Sequence, residues 1–183
     1  MNFQERLEKG YDGERIILNY LIDNGYTVYI NSIEKKHPVD MVCIDKDNKV
    51  FYAEVKTKNK LKKYNGTGIN VNHLETYLSL QRANGINVFI YFVDFSLRCI
   101  YGNYLDKLLN PVECIENGRK VTYPFETGRG KNRVIIFSLS NMKMVSAISE
   151  KFSGEVLKRN PSKLIFGYTP LEKSILLMRN TPI

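Results

Sequence analysis

The fold is decided by residues 39–56, which read VDMVCIDKDNKVFYAEVK. The two ends of this stretch, Val39–Ile44 and Lys49–Lys56, are rich in β-branched and aromatic residues, as strands are. The polar residues between them, Asp45–Asn48, are typical of a turn. The stretch therefore predicts an antiparallel β-hairpin.

The length of the turn sets which residues face one another across this hairpin. With a three-residue turn, the register puts Asp40 opposite Glu54. Because side chains alternate between the two faces of a strand, Glu54 and Lys56 share one face. We therefore expect two carboxylates and one lysine on a single patch.

The segments around the hairpin predict the other elements of an α/β domain. Apolar residues recur every three or four positions from Phe3 to Asn24, which indicates an amphipathic helix. We expect a strand over Tyr26–Asn31, a helix over Asn72–Asn84 and a buried central strand over Val88–Phe95. The remaining predicted elements are strands at Ile100–Tyr104 and Arg133–Phe137 and helices at Leu105–Leu109 and Met142–Asn160.

Composition narrows the class of protein. The 183 residues are enough for one domain, and 43% hydrophobic with 25% charged residues is typical of a globular protein. No apolar run suits a membrane helix, and the N-terminus lacks the apolar core of a secretion signal, so we expect no membrane partner and a cytoplasmic location. The three cysteines, Cys43, Cys99 and Cys114, are expected to be reduced.

The formal charge of +8 favours a polyanionic partner such as nucleic acid. Two basic stretches are candidate DNA contacts, although solvated loops would look the same. Tyr123 and Phe125 precede the second stretch, where they could stack on unpaired bases or belong to the core. The candidate DNA-binding residues are Lys58, Lys60, Lys62 and Lys63 in a flexible loop extending to Gly68, and Arg129, Lys131 and Arg133.

The patch formed by Asp40, Glu54 and Lys56 has a chemical use. Carboxylate oxygens, completed by water and a phosphate, are the ligands that Mg²⁺ prefers, and the bound ion activates water for phosphodiester hydrolysis. A neighbouring lysine can orient that water or stabilise the transition state. The alternative is an ordinary cross-strand ion pair in contact with solvent.

The spacing resembles the motif of the PD-(D/E)XK nuclease superfamily. Val39-Asp40 is followed, after thirteen residues, by Glu54-Val55-Lys56, with Val39 at the place of the usual proline. The upstream sequence Gly10-Tyr11-Asp12-Gly13-Glu14 is similar to that of restriction-endonuclease-like and Holliday-junction-resolvase-like members. The resemblance implies a mixed central β-sheet flanked by helices, DNA cleavage, and Asp40, Glu54 and Glu14 as metal ligands.

Further expectations follow from this resemblance. Lys56 is implied as the catalytic lysine and Mg²⁺ as the cofactor, with Mn²⁺ also supporting activity. Gln81, on the helix after Glu54-Val55-Lys56, is a candidate catalytic residue that contacts the site or the DNA, and the alternative is an exposed helix glutamine. We expect a nuclease core at 1–100 and a C-terminal α+β extension at 101–183, packed as one compact domain. The DNA preference (branched or single-stranded), a homodimer and a phage origin with location in the host cytoplasm stay open. A catalytically idle module that binds nucleic acid or protein is the alternative function.

Overall fold

The computed structural model describes residues 3–30 and 37–148. No helix in this part of the chain is long and apolar enough to cross a lipid bilayer. Its α-helices are α1 (Phe3–Asp23), α2 (Val71–Asn84) and α3 (Leu105–Leu108). Its strands are β1 (Thr27–Ile30), β2 (Met41–Ile44), β3 (Val50–Thr57), β4 (Gly66–Asn70), β5 (Val88–Asp94), β6 (Cys99–Tyr104), β7 (Val112–Glu116), β8 (Arg119–Tyr123), β9 (Phe125–Thr127), β10 (Val134–Ser138) and β11 (Lys143–Ala147).

The largest sheet has six strands in the order β1-β2-β3-β5-β6-β11. It is mixed because β3 and β5 run parallel, whereas every other neighbouring pair is antiparallel. The α1 helix packs on one face of this sheet and α2 on the other. The predicted α/β class, with a mixed central sheet flanked by helices, is therefore confirmed.

The two faces of the sheet are buried because alternate side chains of the central strands enter different clusters. Ala53 and Val55 of β3 pack with Ile17 of α1. Tyr52 of β3 packs on the opposite side with Tyr77 of α2. Every residue of β5 except one is buried, which confirms the prediction of a central strand.

The register of the β2–β3 hairpin agrees with the sequence-based prediction. Met41 pairs with Ala53, so the same register extended by one residue puts Asp40 opposite Glu54. The Asp45 N–H donates to the Lys49 carbonyl at 3.0 Å, which closes the turn. The expected juxtaposition of Asp40 and Glu54 therefore follows from the backbone pairing.

Two further sheets contain strands that the sequence patterns did not predict, together with β10, which confirms the strand predicted at Arg133–Phe137. One has the order β4-β10-β9, and the other is the β7–β8 hairpin. The expectation of a loop continuing to Gly68 is wrong, because β4 begins at Gly66. A Cβ atom at Gly66 would lie 2.3 Å from a carbonyl oxygen of β10, and one at Gly68 would lie 2.1 Å from another. Strand β4 therefore needs glycine at both positions. Because glycine is unusual inside a strand, the sequence pattern did not predict β4.

The predicted helix from Met142 to Asn160 is wrong over its described part. Residues Lys143–Ala147 form β11, the edge strand that pairs with β6. Pairing to the exposed edge of β6 satisfies backbone groups of this segment, and such a non-local contact overrides local helix propensity. The rest of that prediction, residues 149–160, lies outside the described residues, as does the C-terminal tail. The expected division at residue 100 falls within β6, and β4 pairs with β10 across it.

Close contact between α1 and β3 occurs at Gly13. A Cβ atom at this position would lie 2.2 Å from the Thr57 Oγ1 atom and 3.6 Å from Val55 Cγ1. Gly10, one turn earlier in the same helix, has no other atom within 4 Å of the equivalent position. Only Gly13 is therefore required for α1 to approach the sheet, and the next residue is Glu14.

We expect Gly13→Ala to lower the free energy of unfolding by about 1–3 kcal/mol, because the added methyl group overpacks the α1–β3 contact. Gly10→Ala is the matched control and should raise it by up to about 1 kcal/mol through helix propensity alone. Urea unfolding of both variants measures the two values. Equal stabilisation by both alanines would contradict the close approach at Gly13.

Candidate active site

Asp40 precedes β2 and continues the hairpin with its side chain. Its Oδ2 atom accepts a hydrogen bond of 2.7 Å from the Val55 N–H. The backbone ladder between β2 and β3 ends at Met41 and Ala53, so the carboxylate takes the next donor of β3. Val39, which is only 1% exposed, anchors the preceding backbone in the core. The Asp40 carboxylate is thus held at the end of the strand pair.

Glu54 lies in the middle of β3 and is only 4% exposed. Its Oε1 atom accepts a hydrogen bond of 2.7 Å from the Tyr77 hydroxyl. The same atom forms an ion pair with the Lys56 ammonium group. Burial of a carboxylate is costly unless it is hydrogen-bonded and paired, and both conditions are met here.

The Lys56 ammonium group is held on two sides. Besides its ion pair with Glu54, its Nζ atom lies 5.9 Å from the centroid of the Tyr77 ring. That position favours a cation–π interaction. The Lys58 Nζ atom, next on the same side of the extended chain, donates to the Gly68 carbonyl at 2.9 Å. Burial, and then the charge of Lys56, lowers the pKa of Lys58.

The third acid, Glu14, comes from α1 and interacts electrostatically with the hairpin. Burial raises the pKa of Glu14 to about 7, and the charges of Asp40 and Glu54 add to the rise. Burial raises the pKa of Asp40 to about 6, with Glu54 as the next cause, although the Val55 N–H acts in the opposite direction. The three sequence-predicted acids are therefore close enough to repel one another, and one lysine offsets part of their charge.

Two site residues were missed by sequence reasoning. Tyr77 and His73 both lie in the helix predicted over Asn72–Asn84, but neither is among the predicted site residues. In the structure the Tyr77 hydroxyl donates a hydrogen bond to Glu54, and it lies 3.4 Å from His73 Nδ1. Burial, and then the charge of Lys56, lowers the pKa of His73. Their four-residue spacing on one helix face was a signal, but only the docking of α2 on the sheet reveals its use.

Gln81 does not reach the carboxylates. Its Oε1 atom accepts a hydrogen bond of 3.3 Å from the Val88 N–H, at the start of β5. Val88 pairs with Tyr52, which lies two residues before Glu54 on β3. Tyr77, and not Gln81, is the residue by which α2 contacts the predicted acids.

The first group of predicted DNA-binding lysines belongs to an ordered segment that follows β3. Lys58 is half-buried, whereas Lys60, Lys62 and Lys63 are exposed. The Lys60 N–H donates to the buried carboxylate of Asp94 at 2.7 Å. The expected flexible loop is therefore tied to the end of β5.

The second group lies around the strands β9 and β10. Arg129 is exposed, and the exposed Arg133 pairs with Glu126 at 3.1 Å. The side chain of Lys131 lies outside the described part of the structure. Tyr123 is fully buried, so of the two suggested roles it has the structural one, whereas Phe125 is only partly buried.

The carboxylates of the candidate site suit a cation that takes its remaining ligands from water. Within residues 3–30 and 37–148, no three His, Cys, Asp or Glu side chains form a ready-made metal cluster. Asp40, Glu54 and Glu14 offer only oxygen donors. Burial and, after it, the neighbouring carboxylates raise the pKa values of Glu14 and Asp40, and a bound cation would offset both effects. Mg²⁺ usually binds through one or two carboxylates and retains several waters. The residues therefore fit Mg²⁺ better than they fit a closed structural site.

Comparison with known proteins adds a distant similarity. None of the protein-family models and none of the curated proteins compared with the chain matches it. Among solved structures, it is similar to Hjc, a Holliday junction resolvase from the hyperthermophile Archaeoglobus fulgidus, with a TM-score of 0.48 and 13% sequence identity. The match covers 72% of this chain and 90% of that one. At this level of similarity no residue role is transferred.

We expect the free energy of unfolding to fall as the pH rises from about 4 to about 7. The sign follows because the folded protein keeps protons on Glu14 and Asp40 that the unfolded chain releases. Glu14→Gln should therefore raise the stability at about pH 8 by about 1–3 kcal/mol and have little effect at about pH 4. Urea unfolding at both pH values, without divalent metal, measures this. The same change at both values would contradict the raised pKa of Glu14, which burial and then the charges of Asp40 and Glu54 produce.

We expect Tyr77→Phe to lower the free energy of unfolding by about 1–3 kcal/mol, because Glu54 loses a donor while remaining buried. Tyr52→Phe is the matched control, since Tyr52 lies on the same face of β3 but accepts only a bond of 3.1 Å from the exposed Asn84. That variant should cost about 1 kcal/mol or less. Equal losses in the two variants would show that the Glu54 contact has no special energetic role.

Proposed function

We propose that this protein is a Mg²⁺-dependent nuclease that hydrolyses phosphodiester bonds in DNA. The observation that carries the proposal is the hairpin register, which joins Asp40 and Glu54 in one patch with Lys56. An ordinary surface ion pair between Glu54 and Lys56 would need neither the second carboxylate, Asp40, nor the burial of Glu54. The motif spacing, which resembles that of PD-(D/E)XK nucleases, supports the same reading.

Asp40 and Glu54 would hold the cation, with Glu14 as a further oxygen donor. When bound, Mg²⁺ supplies a water of lowered pKa and neutralises charge that develops on the phosphate. Glu54 Oε1 is engaged by Tyr77 and Lys56, so the second oxygen of Glu54 is the one left for the ion. Mn²⁺, which accepts the same carboxylate and water ligands, is expected to substitute.

Lys56 and Tyr77 have further roles in the proposed reaction. The Lys56 ammonium group is restrained by Glu54 and by the ring of Tyr77, and it would orient the attacking water or stabilise negative charge on the phosphate. Attack of water on phosphorus forms one P–O bond and breaks the ester bond, which leaves a phosphate monoester and a hydroxyl group. The Tyr77 hydroxyl, which donates to Glu54 Oε1, would hold that carboxylate in place.

A catalytically idle module that binds nucleic acid or protein is the second candidate. The observation that favours it is the direct Glu54–Lys56 ion pair, which satisfies both groups without any ligand. Against it, the paired charges remain next to two further acids whose pKa values are raised by burial and repulsion. A binding surface for DNA gains nothing from acids in that position.

The first experiment is cleavage of plasmid, linear, single-stranded and four-way-junction DNA with Mg²⁺, Mn²⁺ or EDTA. We expect cleavage to require the metal and to fall by about 10²-fold or more in Glu54→Gln and Lys56→Ala. Asp47→Asn and Lys49→Ala are matched controls, because they remove an exposed acid and lysine from the turn of the same hairpin. They should cleave like the wild type, and the preferred substrate would identify the subclass.

Metal binding gives a readout that does not depend on cleavage. At about pH 8, millimolar Mg²⁺ or Mn²⁺ should raise the unfolding temperature of the wild type, because a ligand of the folded state stabilises it. The rise should disappear in Asp40→Asn. If neither metal changes the unfolding temperature and no DNA is cut, the idle module replaces the nuclease as the function.

A further inference from the structure

A basic groove begins at Lys60, four positions along the chain from Lys56 of the candidate active site. It runs between the basic segment, residues 58–65 after β3, and the tip of the β7–β8 hairpin. It has a volume of about 210 Å³. Lys60, Lys62, Lys63 and Tyr64 line one side, and Glu116 and Asn117 line the other. Because the β7–β8 hairpin was not predicted from the sequence, neither was this groove.

The two walls of the groove are joined by hydrogen bonds. Both carboxylate oxygens of Glu116 accept from the Asn65 N–H, at 3.0 Å each. The buried Tyr123 donates its hydroxyl to the same carboxylate. The Asn117 side chain donates to the Lys63 carbonyl at 3.5 Å. These hydrogen bonds therefore fix the β7–β8 hairpin to the basic segment.

The basic segment is also anchored to the central sheet. The Lys58 N–H donates to the Val93 carbonyl at 3.2 Å, and the Lys60 N–H to the fully buried Asp94 at 2.7 Å. Leu61 closes the segment with a bond of 2.9 Å to the Gly66 carbonyl. The lysines of the groove thus have a defined position relative to Lys56 on β3.

The charge of the groove is not balanced within the described protein. Among the described residues, no carboxylate forms an ion pair with Lys60, Lys62 or Lys63. The one acid in the groove, Glu116, is already occupied by Asn65 and Tyr123. Three ammonium groups beside amide and phenol donors suit an extended anion, and a phosphodiester chain is the anion with that shape.

The position of the groove relates it to the active site. Lys60 follows Lys56 by four positions, which is at most about 13 Å along the chain. One strand of a B-form duplex advances about 3.4 Å along the helix axis per nucleotide, so this distance corresponds to about four nucleotides. A DNA strand that has a phosphate at Lys56 can therefore reach the groove within a few nucleotides.

We infer that this groove binds the phosphate backbone of the DNA strand adjoining the scissile bond, without reading its sequence. The inference rests on the proposed function for the identity of the ligand. It assigns the β7–β8 hairpin a role, namely to form the outer wall of the groove. It also adds Asn117 and Tyr64 to the DNA-binding surface.

The test is DNA binding by the double variant Lys62→Ala/Lys63→Ala, measured by fluorescence anisotropy in EDTA so that no cleavage occurs. The matched control is Lys46→Ala/Lys49→Ala, which removes the same charge from two exposed lysines at the β2–β3 turn. Between about 50 and 200 mM salt, the groove variant should bind at least about tenfold more weakly than the wild type, with a log–log salt slope reduced by about 2. The control should stay within about twofold of the wild type.

The outcomes separate this inference from the proposed function. Equal binding by the groove variant and the control would overturn the inference, whether or not the wild type cleaves DNA. Selective loss of binding in the groove variant, together with absence of cleavage by the wild type, would support the groove and reject the nuclease. If the wild type cleaves, the groove variant should raise KM and leave kcat unchanged at saturating DNA, because the groove contacts ground state and transition state alike. A fall in kcat alone would contradict a backbone-binding role.

Discussion

The hydrogen bond from the Val55 N–H to the Asp40 carboxylate is the contact on which the site depends. It continues the β2–β3 ladder by one residue with a side chain, and so ties the place of the first acid to the hairpin register. A slip of one residue would turn Glu54 and Lys56 to the opposite face of β3, where α1 packs. The buried residues on both faces of β3 make that slip costly, since each face has its own apolar cluster.

The helices complete this arrangement from opposite sides of the sheet. Close packing of α1 at Gly13 brings Glu14 near the two acids of the hairpin, and α2 brings the hydroxyl of Tyr77 to Glu54. The result concentrates negative charge around one ammonium group in a partly buried position. Such a site stores electrostatic repulsion in the protein alone and relieves it when a cation binds, which links stability, pH and the proposed metal dependence through the same carboxylates.

The two smaller sheets and the basic segment after β3 extend the protein surface beyond the candidate active site. The strand β4 needs glycines to lie against β10, and Asp94 ties the basic segment before it to the end of β5. The β7–β8 hairpin is then fixed to that segment by Glu116. A lysine-rich stretch that would otherwise be a solvated loop thereby becomes one wall of a groove with a defined position relative to Lys56. Anchoring of this kind lowers the entropy lost when a polyanion binds.

The sequence by itself determined the features that follow from local periodicity: α1, α2, the buried strand β5 and the hairpin with Asp40 opposite Glu54. Period-two alternation and a short turn are enough to specify such a register. Only the tertiary structure decided that 143–147 form a strand and that Tyr77, and not Gln81, reaches Glu54. These features depend on pairing with β6 and on the docking of α2, contacts between residues far apart in the chain, and no local pattern encodes the partner of an edge strand or the seating of a helix on a sheet.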